Sequence, residues 1–259
     1  MTDRAVSDLP AMTGWLWFKQ GFALFRRQPG ALTALLFLNF LASSLLSGIP
    51  FVGPFIALLL MPCFSMSLMQ GCALADQQRR VTLPVLATGF RQPLFRRLLG
   101  VGGVYLAVAG ALLLLAIGIV DESALRALIE GMNNPAAGKD IDMSPILPLL
   151  LISLLNLMIM VSLAFAAPLA AWQHMGVGKA VFYSVVATLR AARVFFVLLF
   201  GWMVTMFVTS TLAAMLFGLF GPNAARVIVM WLVCVFLLLL QCALYAGYRQ
   251  MFGTPNLDA

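Results

Sequence analysis

Between Arg27 and Asp76 the chain carries no charged side chain, and a 48-residue uncharged run leaves few ways to fold. A helix crosses a bilayer in about 20 apolar residues, so this run holds two crossings and the turn between them. Comparable uncharged runs recur four more times downstream. Of the 259 residues, 63% are hydrophobic and 10% charged, whereas a soluble domain carries about 25% charged residues. The apolar content exceeds what one water-soluble core requires, and the pattern predicts an all-α, polytopic membrane protein.

The runs predict six transmembrane helices near 30–48, 52–75, 98–120, 145–171, 194–218 and 226–247, arranged as three helical hairpins. Ser47-Gly48-Ile49-Pro50 and Gly221-Pro222-Asn223 have the chemistry of tight reversals. Residues 121–144 read as a polar outer loop. Within it, Asp121 to Gly131 reads as a short surface helix, with acids in its first turn and Leu125, Leu128 and Ile129 on one face. The first apolar run follows a mixed-charge segment and continues into a second span, unlike a cleavable signal peptide.

Lysine and arginine predict the orientation. With these spans, 13 of the 16 basic residues fall on the side of both termini, and Arg126, Lys139 and Arg226 fall on the other. The positive-inside bias places both termini in the cytoplasm of a bacterial inner membrane. The formal net charge of +7 is clustered beside apolar runs, so anionic lipid headgroups are the expected counter-charge. No basic stretch alternates with exposed aromatics in a polar context, which argues against nucleic acid.

Each pair of spans follows an amphipathic segment ending in arginine. Leu24-Phe25-Arg26-Arg27 and Leu94-Phe95-Arg96-Arg97 precede the first and third spans, and Leu189-Arg190-Ala191-Ala192-Arg193 precedes the fifth. Gln70-Gly71-Cys72-Ala73-Leu74-Ala75 and Gln241-Cys242-Ala243-Leu244-Tyr245-Ala246 close spans two and six in similar fashion. This suggests one integral membrane domain over 1–259, built from three parallel copies, 14–75, 83–171 and 178–247, of a unit with an interfacial helix and two spans. The competing reading is that positive-inside bias alone produces part of the match. In the first segment, Trp15, Phe18, Phe22 and Phe25 share a helical face, which suits a helix lying among headgroups with its rings toward acyl chains. A helix packed on the bundle is the other reading. Gly103, Ala107 and Ala111, and likewise Ser162, Ala166 and Ala170, form ridges of small residues for helix packing. Pro62 and Pro168 should bend or break spans two and four.

Reactive groups are scarce. His174 is the sole histidine, and no Ser-His-Asp set, metal-ligand cluster or phosphate-binding glycine loop is legible. Cys63, Cys72, Cys234 and Cys242 read as reduced, membrane-buried thiols. The sequence therefore predicts no enzyme, no cofactor and no metal. The spans hold no charged residue near their centres, where coupled transporters usually place one. Asn39, Tyr105, Asn156 and Thr205 are neutral polar groups that either glue helices together or line a cavity.

Gly14-Trp15-Leu16-Trp17-Phe18-Lys19-Gln20-Gly21-Phe22-Ala23-Leu24-Phe25-Arg26-Arg27-Gln28-Pro29 resembles the opening of a family of proteobacterial inner-membrane proteins with six predicted spans. More distantly, the three-hairpin plan is similar to YciC-type membrane proteins and to the membrane domain of glycerophosphodiester phosphodiesterases. The resemblance implies location and architecture. It brings no catalytic residues, and no hydrolase domain follows.

The expected function is a non-enzymatic membrane protein that organises lipid or partner proteins through basic amphipathic helices. Arg26, Arg27, Arg96, Arg97, Arg190 and Arg193 would contact anionic headgroups. The alternative is an uncoupled small-molecule or lipid permease with a cavity between the hairpins. Protein partners and a homo-oligomer stay open.

Overall fold

A computed structural model describes residues 9–121, 123, 126, 144–219 and 221–257. All regular structure among them is helical: α1 Thr13–Arg27, α2 Pro29–Ser47, α3 Gly53–Asp76, a 3-10 helix Leu83–Phe90, α4 Leu94–Ile119, α5 Ile146–Ser162, α6 Ala166–Trp172, α7 Val177–Arg190, α8 Ala192–Gly218 and α9 Pro222–Phe252. Six stretches are long and apolar enough to cross a membrane, α5 and α6 together making the fourth. The chain is a polytopic membrane protein. A short helix precedes two long ones three times in succession, although the second short element is a 3-10 helix and not an amphipathic α-helix. The surface helix read at 121–131 lies outside the described residues, apart from Asp121, Ser123 and Arg126; the Asp121 carboxylate accepts from the Ser123 backbone N–H at 3.0 Å.

The turns follow their sequence chemistry. Gly48 N–H closes α2 on Ser44 O at 3.0 Å, and Phe51 takes a left-handed φ of 63° before α3 starts at Gly53. Gly221 adopts φ 112°, a conformation glycine accepts without a Cβ penalty, and Pro222 starts α9 where its missing N–H is harmless.

The prolines act differently. α3 continues through Pro62. Span four breaks at 163–165, just before Pro168. Ser184 of α7 satisfies the backbone freed there: its hydroxyl donates to Ser162 O at 2.7 Å and accepts from Phe165 N–H at 3.1 Å. Ser184 is fully buried, so a polar joint inside the bundle is paired, as burial demands.

The core gathers on α9, against which α1, α3 and α8 pack. α1 differs from the expected helix lying among lipids. Its buried face is Gly14, Trp17, Phe18, Gly21 and Leu24, wedged between α8 and α9. A Cβ on Gly14 would meet the Val194 carbonyl, and one on Gly21 the Ala243 backbone. Trp17 is fully buried, and its indole N–H donates to Gln250 Oε1 at 2.6 Å. Phe22 alone of the four predicted rings is strongly exposed, at 46%, while Phe18 is buried and Trp15 and Phe25 are half-buried. Small residues that permit close backbone approach, not rings, decide where this helix docks.

The ridge predicted on span three is displaced by one residue. Gly103 has open space beside it, and Ala107 and Ala111 are exposed. Gly102 makes the close approach, against the Leu59 carbonyl of α3. On span four Ala166 and Ala170 are fully buried as expected of packing residues, whereas the Ser162 hydroxyl bonds its own helix at Met158 O, 2.8 Å away.

Candidate functional site

Arg27, ahead of the first span, meets Arg249 at the end of the bundle where α1, α3 and α9 finish. Asp76, at the last turn of α3, organises the middle of this end. Its carboxylate pairs with Arg27 at 3.5 Å and with Arg249 at 2.5 Å, and accepts from the Tyr245 hydroxyl at 3.2 Å. Arg27 also donates to Asp76 O at 2.9 Å and to Ala75 O at 3.3 Å, capping the carbonyls that α3 leaves open. Gln28 then ties down the following segment, donating to Arg79 O at 2.6 Å and accepting from Val81 N–H at 2.9 Å. Gln77 donates to Pro255 O at 3.2 Å, holding the tail after α9.

The six predicted lipid contacts therefore divide. Arg27 is engaged in the clamp around Asp76. Arg26, Arg96 and Arg193 are exposed and form no ion pair with a described residue; Arg26 stands 5.9 Å from the Phe22 ring centroid. Arg190 is exposed at the end of α7. Arg97 is half-buried and lines a cavity of about 300 Å³ with Arg91, a residue the sequence reading left outside the site. Asp76, likewise missed, was legible only as the first charge after a long silence.

The four polar residues proposed for an intramembrane cavity do not come together. Tyr105 lines a central cavity of about 250 Å³ with Ser65 and Gln241, and donates to Leu163 O at 3.2 Å. Thr205 donates to Gly201 O within its own helix at 2.7 Å. Asn156 is exposed on α5, and Asn39 is buried on α2 with neither amide atom partnered. None of these three lines the central cavity. That cavity adjoins an apolar groove of about 550 Å³ between α5 and α8, the two sharing Leu157, Val161, Phe195 and Leu199.

No cluster of metal-ligating side chains occurs among the described residues. Cys63, Cys72, Cys234 and Cys242 are free thiols, and Cys72 and Cys242 bring their Sγ atoms within 2.6 Å.

A probable inner membrane protein of Burkholderia thailandensis is 32% identical to this chain over 255 residues, covering 96% of this chain and 94% of the relative. The chain belongs to that protein's family. The relative's name and the six apolar helices of this chain together fit a multi-pass inner-membrane protein. No protein-family model matches the chain. No solved structure matches it.

Proposed function

We propose that the protein is a non-enzymatic inner-membrane organiser that gathers anionic lipid around its basic end, which faces the cytoplasm. The carrying observation is a charge imbalance. Asp76 is the only acid described at this end and is occupied by Arg27 and Arg249, while Arg26, Arg96 and Arg193 stand exposed without an ion pair to a described residue. Such arginines at the headgroup level each attract an anionic leaflet by about 1 kcal/mol.

The test is the lipid that survives gentle extraction. Replacing Arg26, Arg96, Arg190 and Arg193 together by glutamine should reduce co-purified anionic lipid severalfold, measured by mass spectrometry, and leave zwitterionic lipid unchanged. Arg27 is kept, because its loss would disturb the clamp. Equal enrichment of anionic lipid in the variant and the parent would overturn the reading.

A second reading, an uncoupled permease for apolar or lipid-like molecules, draws on the groove between α5 and α8 that adjoins the central cavity. The walls are almost wholly apolar and the expected polar set is dispersed, which favours an occupied lipid groove over a path for polar solutes.

A further inference from the structure

The geometry points to a single phosphate-binding site in the cavity between the 3-10 helix, the start of α4 and the end of α6, for a phosphate-bearing anion of the lipid-headgroup class. It deepens the reading of the basic end as a lipid surface by naming where one headgroup is held. The cavity measures about 300 Å³ and is walled by Thr88, Arg91, Gln92, Arg97 and His174, with Gln70 and Trp172 beneath them. That volume admits a phosphate with its glycerol.

The polar groups select charge sign. No carboxylate among the described residues lines the cavity, and neither Arg91 nor Arg97 has an ion pair with a described residue. Two guanidinium-bearing side chains line one space, and their planar forks match phosphate oxygens. Gln70 adds a fixed donor. Its Oε1 accepts the Trp172 indole N–H at 2.9 Å, so its amide nitrogen is the end left to donate. The Asp76 clamp lies six residues further along α3, about 9 Å away at 1.5 Å per residue, so the cavity lies near the basic end of the bundle. An exposed surface arginine attracts any anionic lipid loosely; here two arginines and an oriented amide share one half-enclosed space.

The experiment is a titration of the full-length protein, in detergent, followed by native mass spectrometry. Phosphatidylglycerol and sn-glycerol 3-phosphate are the probes, and phosphatidylcholine is the control. The parent should bind one phosphatidylglycerol saturably, ahead of further loosely held copies. The double variant Arg91→Gln/Arg97→Gln should weaken that first binding event by about tenfold or more, since charge-assisted bonds to phosphate are the strong ones. Gln70→Glu is the second variant: it keeps an acceptor for Trp172, so the fold is retained, and places a carboxylate in the cavity, which should abolish the first event. Saturable binding of sn-glycerol 3-phosphate that is lost in the same variants identifies a soluble phosphate ester as the source; its absence, with phosphatidylglycerol bound, identifies the lipid. A first binding event equally tight in the parent and both variants would overturn the site. The broader lipid reading fails separately, when the surface arginine variant described above leaves anionic enrichment unchanged.

Discussion

Asp76 accepts from donors on three sides, and its side chain keeps only 13% of its exposure. Charge-assisted hydrogen bonds of this kind contribute about 1.5–3 kcal/mol, more than the exposed surface pairs of a typical helix. Substituting Asp76→Asn leaves shape and size nearly unchanged and removes the charge that Arg27 and Arg249 share. We expect about 2 kcal/mol of destabilisation, read as a lower thermal unfolding temperature in detergent. An unfolding temperature equal to that of the parent would show the clamp to be incidental. At this scale the sequence was least informative. An isolated acid after 48 uncharged residues marks a span boundary, but its two arginine partners lie 49 and 173 positions away, and no local pattern pairs them. Asn39 shows the same limit: composition marks a polar group inside a span, and only the fold reveals that neither of its amide atoms finds a partner.

Among elements, the long helices were legible because a bilayer demands an apolar length and little else; all six predicted spans start and end within five residues of those observed, the largest difference being at the close of span six, which runs five residues further. What each helix touches was not legible. Four aromatic rings on one face of α1 fit lipid and protein equally well, and the decision fell to Gly14 and Gly21, whose missing side chains admit the backbones of α8 and α9. The same reasoning explains the one-residue error on span three, where Gly102 and Gly103 are indistinguishable until α3 is in place. The similar exits of spans two and six turn out to be neighbours: Cys72 of α3 and Cys242 of α9 meet within the core. Treatment of the intact protein with a membrane-permeant copper–phenanthroline oxidant should therefore link Cys72 to Cys242, seen as a cross-linked peptide by mass spectrometry, while Cys234 stays unlinked. A cross-link that instead joins Cys63 to Cys242 would contradict the packing of α3 on α9.

For the molecule as a whole, orientation is the expectation with the widest reach, because the basic end can gather anionic lipid only on the leaflet it faces. A reporter active in the cytoplasm should work when fused after Ala259, and one active in the periplasm should work when inserted between Asn133 and Asn134. The reverse pattern would invert the topology and with it the proposed role. One consequence of the packing belongs to biosynthesis. The indole of Trp17 rests on Gly247 and donates to Gln250, 233 positions later in the chain. At about 5–20 residues per second, α1 leaves the ribosome roughly 10 to 50 s before its partner exists. Until α9 arrives, Gly14 can meet α8, but the Gly21 end of the glycine-lined face of α1 and the Trp17 indole N–H have no partner. A nascent chain of this protein thus carries a built-in marker of incompleteness at its leading end, one that closes only when the last helix has been inserted.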